Sequence, residues 1–376
     1  MLQLRRITAQ KRFIPQIDGL RFVAISSVVF FHIYSALGRG AVPVPFEMNE
    51  DLSKRGVELF FAISGFILGI PFATHHLQSG PKVSLKQYFM RRLTRLEPPY
   101  FLSFPLWMAM QWVVWRRPLS DMAPHLLANA VYMHNFVFGA FPHAVNSVVW
   151  SLEVEVHFYI LVPVLSLVFA IADQRIRRAV ILSTMVVIAL VSLPLYRTLH
   201  FHYSIAFYLP FFFAGFMLCD LYVTRGEWKR SFAWDALALC LWPLVWMGDK
   251  YFDHLVLPFL IIVLYLAAFR GRICSAVFSN PVLTTIGGMC YSIYLFHFPI
   301  IYAVKHNTAY WHIGNNFWVF FALQSALILP PVLLFCGAFF VFVERPCMDR
   351  EWPRKLWQRW QTASWRTLRA SPSQAV

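Results

Sequence analysis

The sequence predicts an all-α, polytopic integral membrane protein with about ten transmembrane helices, and three observations carry that expectation. The first is composition. Of 376 residues, 59% are hydrophobic, 18% aromatic and only 14% charged, with a mean hydropathy of +0.55. That much apolar surface cannot be hidden inside a soluble globule of this length, so lipid is the implied solvent. The second is a series of apolar stretches of the length a bilayer requires, about 20 residues each. The third is the placement of Lys and Arg in alternate connections, which marks one side of a membrane. The net charge of +15 is therefore read as a topology signal rather than a nucleic-acid surface, because it is clustered between apolar stretches and not gathered on one face or tail.

The stretches lie near 18–38, 55–72, 97–115, 149–171, 179–198, 204–223, 234–248, 254–269, 282–304 and 317–343. The N-terminal arm is basic (Arg5, Arg6, Lys11, Arg12) and flanks the first span on the cytoplasmic side. A cleaved leader is disfavoured, since processing after Ala36 or Gly38 would discard His32. Residues 39–54 are mixed in charge, and 73–96 are basic (Lys82, Lys86, Arg91, Arg92, Arg95). The apolar run within 121–148 is expected to be an outer loop or a re-entrant piece, because an eleventh span there would force the basic connection 173–178 (Arg175, Arg177, Arg178) outside. The connections 224–233 and 270–281 and the tail are basic as well, so both ends fall in the cytoplasm. Residues 1–344 are read as one membrane domain. The tail, 345–376, interleaves Trp352, Trp357, Trp360 and Trp365 with Arg and Lys, as suits a helix lying among headgroups, with a solvated tail as the alternative for the last ten residues. Six cysteines without CxxC or Cys/His spacing imply neither a disulfide framework nor a metal site.

Ionisable groups inside apolar stretches mark the candidate chemistry, since burying them in lipid is costly. Arg21 and His32 share the first span, about 16 Å apart along its axis. Asp18, one turn from Arg21, is placed to pair with it. Counted from the outer end of the fourth span, Glu155 lies about 9 Å deep, at a depth similar to His32. A carboxylate there would hold a neutral imidazole as a general base toward a hydroxyl, or would simply tie helices together. Arg91, Arg92 and Arg95, ahead of the pair Pro98–Pro99 that is expected to start the third span, either obey positive-inside bias or clamp phosphates. Ser64, mid-span beside Gly65 and Gly69, reads as a packing residue more readily than as a nucleophile, because its own helix offers no base. Tyr291, Tyr294 and His297 form one helical stripe, which lines a cavity or anchors the helix.

Taken in order, IDGLRFVAISSVVFFH, RGVELFFAISGF, RRLTRLEPPY, WSLEVEVHFY, YSIYLFHFP and VERP, from Ile17 to Pro346, resemble the membrane-bound acyltransferase 3 family. The resemblance implies about ten helices and transfer of an acyl group, often acetyl from acetyl-CoA, to polysaccharides, glycolipids or small molecules. It makes His32 the catalytic histidine with Arg21 its motif partner, Glu155 the acidic position of the fourth-span motif, and Arg91, Arg92 and Arg95 the donor-site residues. Two positions depart from the pattern: His157 stands where Gln is usual, and Glu153 where Ser is frequent. Nothing like an appended SGNH hydrolase domain follows the last span, so the membrane domain is expected to act alone or with a separate periplasmic partner.

The expectation is thus a multi-pass inner-membrane enzyme that takes acetyl-CoA as acyl donor, without a metal, and a carbohydrate or glycolipid as acceptor. The alternative is a transporter or flippase for a polar or glycolipid substrate, for which intramembrane His, Arg and Glu are equally expected. That reading predicts broken helices and paired repeats, and the sequence shows neither.

Overall fold

The computed structural model describes residues 6, 13–38, 54–139, 145–146, 148–195, 201–225, 228–247, 250–311, 313–349, 351–355 and 357–358, and every element among them is helical. The expected headgroup residues Trp360 and Trp365 lie outside the described residues.

Helix α1 (Pro15–Leu37) starts with a proline, which needs no backbone partner at a helix N-terminus. Helix α2 (Arg55–Leu77) returns beside it. Helix α3 (Leu85–Val113) starts thirteen residues before the Pro98–Pro99 pair expected to open it, so the arginines lie within the helix and the prolines do not start it. Proline at 98 has no N–H for the carbonyl of Thr94, and that carbonyl instead accepts a hydrogen bond from the Trp352 indole at 3.0 Å. The tail is thereby pinned to the arginine turn of α3.

The segment after α3 forms two short helices, α4 (Leu119–Ala130) and α5 (His134–Phe138), neither long enough to cross a bilayer. There follow α6 (Trp150–Leu165, tightening to a 3-10 turn through Ala170), α7 (Gln174–Leu195), α8 (Ile205–Thr224), α9 (Phe232–Val245), α10 (Lys250–Leu255) and α11 (Leu257–Arg270). Next come α12 (Arg272–Phe278), α13 (Pro281–Gly288), α14 (Cys290–Thr308) and α15 (Phe317–Phe339), which ends in a π turn, Phe340–Glu344, and the short α16 (Arg345–Cys347).

Each of the ten expected stretches is helical, but six helices are long and apolar enough to cross a membrane, or eight if each bent pair is one span. The bent pairs are α11 with α12, turning by 89°, and α13 with α14, turning by 72°. The ninth stretch, expected as one helix over 282–304, is therefore broken at its glycines. Of the two remaining stretches, the apolar half of α3 is diluted by Glu97, Gln111 and three prolines, and α9 has only 14 residues.

Two apolar clusters organise the bundle. One gathers around α2, α8 and α11, the other around the C-terminal half of α1 with α3, α14 and α15. Helices α2 and α8 approach closely because Gly65 faces the backbone of Phe212 and Gly215 faces that of Ala62, where a Cβ would overlap. Phe61 and Phe158 both stack on Phe212 in the same layer.

Candidate active site

A cavity of about 520 Å³ runs along the seam between the two clusters. At one end stand Arg6, Arg21, Arg91, Arg92 and Arg95 with Asp18 and Asp349, and further in come Ser64, Glu155, Tyr159, Ser151 and Tyr294. Five of the six residues singled out from the sequence line this space, and His32 does not. Val28, one turn before His32 on α1, is a wall residue, so the cavity ends about 6 Å short of the ring along the helix axis.

Three of the guanidinium groups have partners on α1 or α3. Arg21 Nη1 donates to Asp18 Oδ1 at 2.6 Å, the pairing expected from their spacing, and Arg6 Nη1 donates to the same oxygen at 3.0 Å. Arg92 stacks on the Tyr88 ring at 3.6 Å and donates to the Tyr88 carbonyl at 2.7 Å. Arg95 presents a buried Nε with no partner among the described residues. With one carboxylate shared between two guanidiniums, this end is strongly cationic and suits a ligand carrying several negative charges.

His32 is half-buried, packed against His297 at 5.1 Å and edge-on to Phe298 at 5.2 Å. Nδ1 of His297 lies 2.8 Å from the Ile293 carbonyl and 2.9 Å from that of Tyr294. Carbonyls only accept, so that nitrogen carries the proton and Nε2, which has no partner among the described residues, keeps its lone pair. The sequence placed His297 on a stripe with Tyr291 and Tyr294, and the structure sets it beside His32.

Glu155 accepts a hydrogen bond from Ser64 Oγ at 2.5 Å and makes none with His32. Counting residues from helix ends matched Glu155 to His32 in depth, and the packing explains why the count misleads. Gly56 rests on Ala24 and Val28, while Ile70 and Pro71 share the cavity wall with Phe13 and Ile14. The two helices therefore run antiparallel, with α2 beginning beside the middle of α1. Ser64 then lies about 12 Å from Gly56 toward the arginines, and His32 lies on the other side of Val28. The hydrogen-bond partner that Ser64 lacks on its own helix comes from α6.

The two departures from the sequence pattern are anchors. Buried Glu153 accepts from the Asn135 N–H at 3.0 Å, and His157 Nε2 donates to the Tyr132 carbonyl at 2.9 Å, tying α5 and the preceding turn to α6. The VERP glutamate, Glu344, is fully buried on the π turn and accepts from Ser292 N–H at 3.0 Å and Oγ at 2.5 Å. It thus caps α14 at the break in the ninth stretch. Sequence reasoning missed this, as it missed Arg6, because both contacts join residues far apart in the chain.

A family described as an acyltransferase domain, acyltransferase 3, matches residues 14–343. The chain is similar to O-acetyltransferase OatA of Staphylococcus aureus, 23% identical over 326 residues that cover 78% of this chain and 51% of that protein. It is similar to the putative peptidoglycan O-acetyltransferase YrhL of Bacillus subtilis, 25% identical over 405 residues, covering 95% of this chain and 59% of that one. A third relative is the peptidoglycan O-acetyltransferase OatA of Listeria monocytogenes, 25% identical over 177 residues, 44% of this chain and 26% of that protein. The chain spans about half the length of the first two relatives. No solved structure matches it. With the family match running from the start of α1 into the π turn, and covering Arg21, Arg91, Arg92, Arg95 and Glu155 of the cavity, the chain belongs to the acyltransferase 3 family of multi-pass membrane acyltransferases.

Proposed function

We propose that this domain transfers an acetyl group from acetyl-CoA, entering from the cytoplasmic face of the inner membrane, to a hydroxyl of a carbohydrate acceptor. The observation that carries the reading is one cavity with five arginines at one end and a histidine one turn beyond the other. A nucleotide-bearing thioester fits it by chemistry: its phosphates match Arg21, Arg91, Arg92 and Arg95, and its narrow arm fits the apolar passage toward His32. Both described terminal regions, Arg6 and Met348–Asp349, stand at the arginine mouth, in keeping with cytoplasmic ends. The names of the relatives point to a glycan acceptor of the peptidoglycan type, in this chain with or without a separate periplasmic partner.

In this reading His32 takes the proton of the acceptor hydroxyl as its oxygen attacks the thioester carbonyl. The C–S bond breaks, and the proton passes to the departing thiolate. His297, with its lone pair on Nε2, stands beside that imidazole and fixes its position. Membranes carrying His32→Ala should transfer no labelled acetyl from acetyl-CoA to glycan; transfer at the wild-type rate would sink the assignment. Arg95→Ala should raise the donor KM by about tenfold or more, the order expected for a lost charge-assisted contact.

The transporter reading gains one observation, since the two bent helix pairs are a feature it called for. Thioester consumption separates the readings: a transporter leaves acetyl-CoA intact.

A further inference from the structure

We propose that the Ser64–Glu155 pair recognises the pantetheine arm of the acyl donor, selecting the donor rather than taking part in the acyl-transfer step. The inference rests on the acyl-CoA reading above and concerns the middle of the same cavity.

Three cavity residues of α6, Ser151, Glu155 and Tyr159, follow one another at four-residue intervals, so they form a polar stripe on one helix face with steps of about 6 Å. The ends of the stripe are fixed by neighbours. The ring of Tyr159 lies 5.8 Å from the Arg92 guanidinium, at the anion end. Ser151 meets the Tyr294 hydroxyl at 3.0 Å, one turn along α14 from the His297 that packs on His32. Glu155 is therefore midway between the arginines and the imidazole pair.

The surrounding wall is apolar, formed by Phe60, Ile63, Ile67 and Leu152. A passage of this kind admits an extended chain, but the chain's own polar groups then need partners inside it. A pantetheine arm carries amide N–H and C=O groups between its phosphate end and its sulfur. Glu155 is an acceptor for an amide N–H, and the Ser64 hydroxyl is a donor for an amide carbonyl. Without a ligand Ser64 donates to Glu155 at 2.5 Å, and the Tyr159 hydroxyl bonds the same carboxylate. When the arm enters, Ser64 and Glu155 each exchange their mutual bond for one amide group, so no buried group is left unpaired. A simple alkyl thioester carries no such groups, so the Ser64–Glu155 bond stays closed and contributes nothing to its recognition.

The test compares initial rates of wild type, Glu155→Gln and Ser64→Ala in native membranes with three donors: acetyl-CoA, S-acetylpantetheine, which lacks the nucleotide phosphates, and an S-acetyl alkyl thiol without amides. Glu155→Gln should raise KM by about tenfold for the first two donors and leave the third unchanged, with kcat held within about twofold throughout. Ser64→Ala should shift the same two donors in the same direction by a smaller factor. Arg95→Ala should weaken acetyl-CoA alone. Loss of kcat on all three donors in Glu155→Gln, with KM unmoved, would place the carboxylate in the chemistry and overturn the inference. So would unchanged kinetics in Ser64→Ala. Failure of wild type to consume any of the thioesters is a separate result, because it removes the acyl-CoA reading itself.

Discussion

Asp220 shows how a single carboxylate can organise charges that look like plain topology signals. Its two oxygens accept from Arg177 Nε at 2.5 Å and Arg178 Nε at 2.6 Å, and both Asp220 and Arg177 are fully enclosed. Two residues of a basic connection are thus one half of a buried tie between α7 and α8. Asp220→Ala would strand the Arg177 guanidinium, a loss of about 3–5 kcal/mol for a buried ion pair deprived of one partner. The detergent-solubilised variant should melt well below wild type, and an unchanged melting temperature would show that water reaches the arginine. At this scale the sequence was legible where the partners share a helix. Arg21 with Asp18 follows from three-residue spacing, and the arginines of α3 were recognisable as a cluster. Ser64 with Glu155, Glu344 with Ser292 and Arg6 with Asp18 were not legible, because no spacing rule reaches beyond a single helix.

At the scale of elements, α2 and α8 depend on two glycines that let their backbones touch. Gly215→Val would drive a branched side chain into the backbone of α2 at Ala62, and neither helix can yield without unstacking Phe61 and Phe158 from Phe212. The expected outcome is sharply reduced folded protein in membranes, read by detergent-resistant gel-filtration signal; a normal yield would mean that the helices part without cost. Apolar length located every one of these helices, because hydropathy reports burial in lipid directly. It could not locate the breaks. The 72° bend between α13 and α14 depends on a distant carboxylate accepting the freed N–H of Ser292, and the early start of α3 depends on the tail supplying a donor to Thr94.

For the whole molecule, the proposed orientation has α6 and α7 meeting on the cytoplasmic side and α4 and α5 on the outer side, as the alternation of basic connections favours. A reporter fused after Asp173 should read as cytoplasmic, and one inserted between α4 and α5 as external; a reversed pair of signals would restore an eleventh crossing. The registry of the helices, which decides what stands at what depth, was beyond sequence reasoning because counting from helix ends assumes that all helices begin at one plane. Gly56 seated beside Ala24 and Val28 shows that they do not.

The position of Arg6 also bears on how the protein is handled. If acetyl-CoA enters there as proposed, an affinity tag fused ahead of Arg6 would compete with its phosphates for the guanidiniums at that end. Preparations tagged on that end should bind acetyl-CoA more weakly than those carrying the tag on an external connection, even though both would be equally well folded.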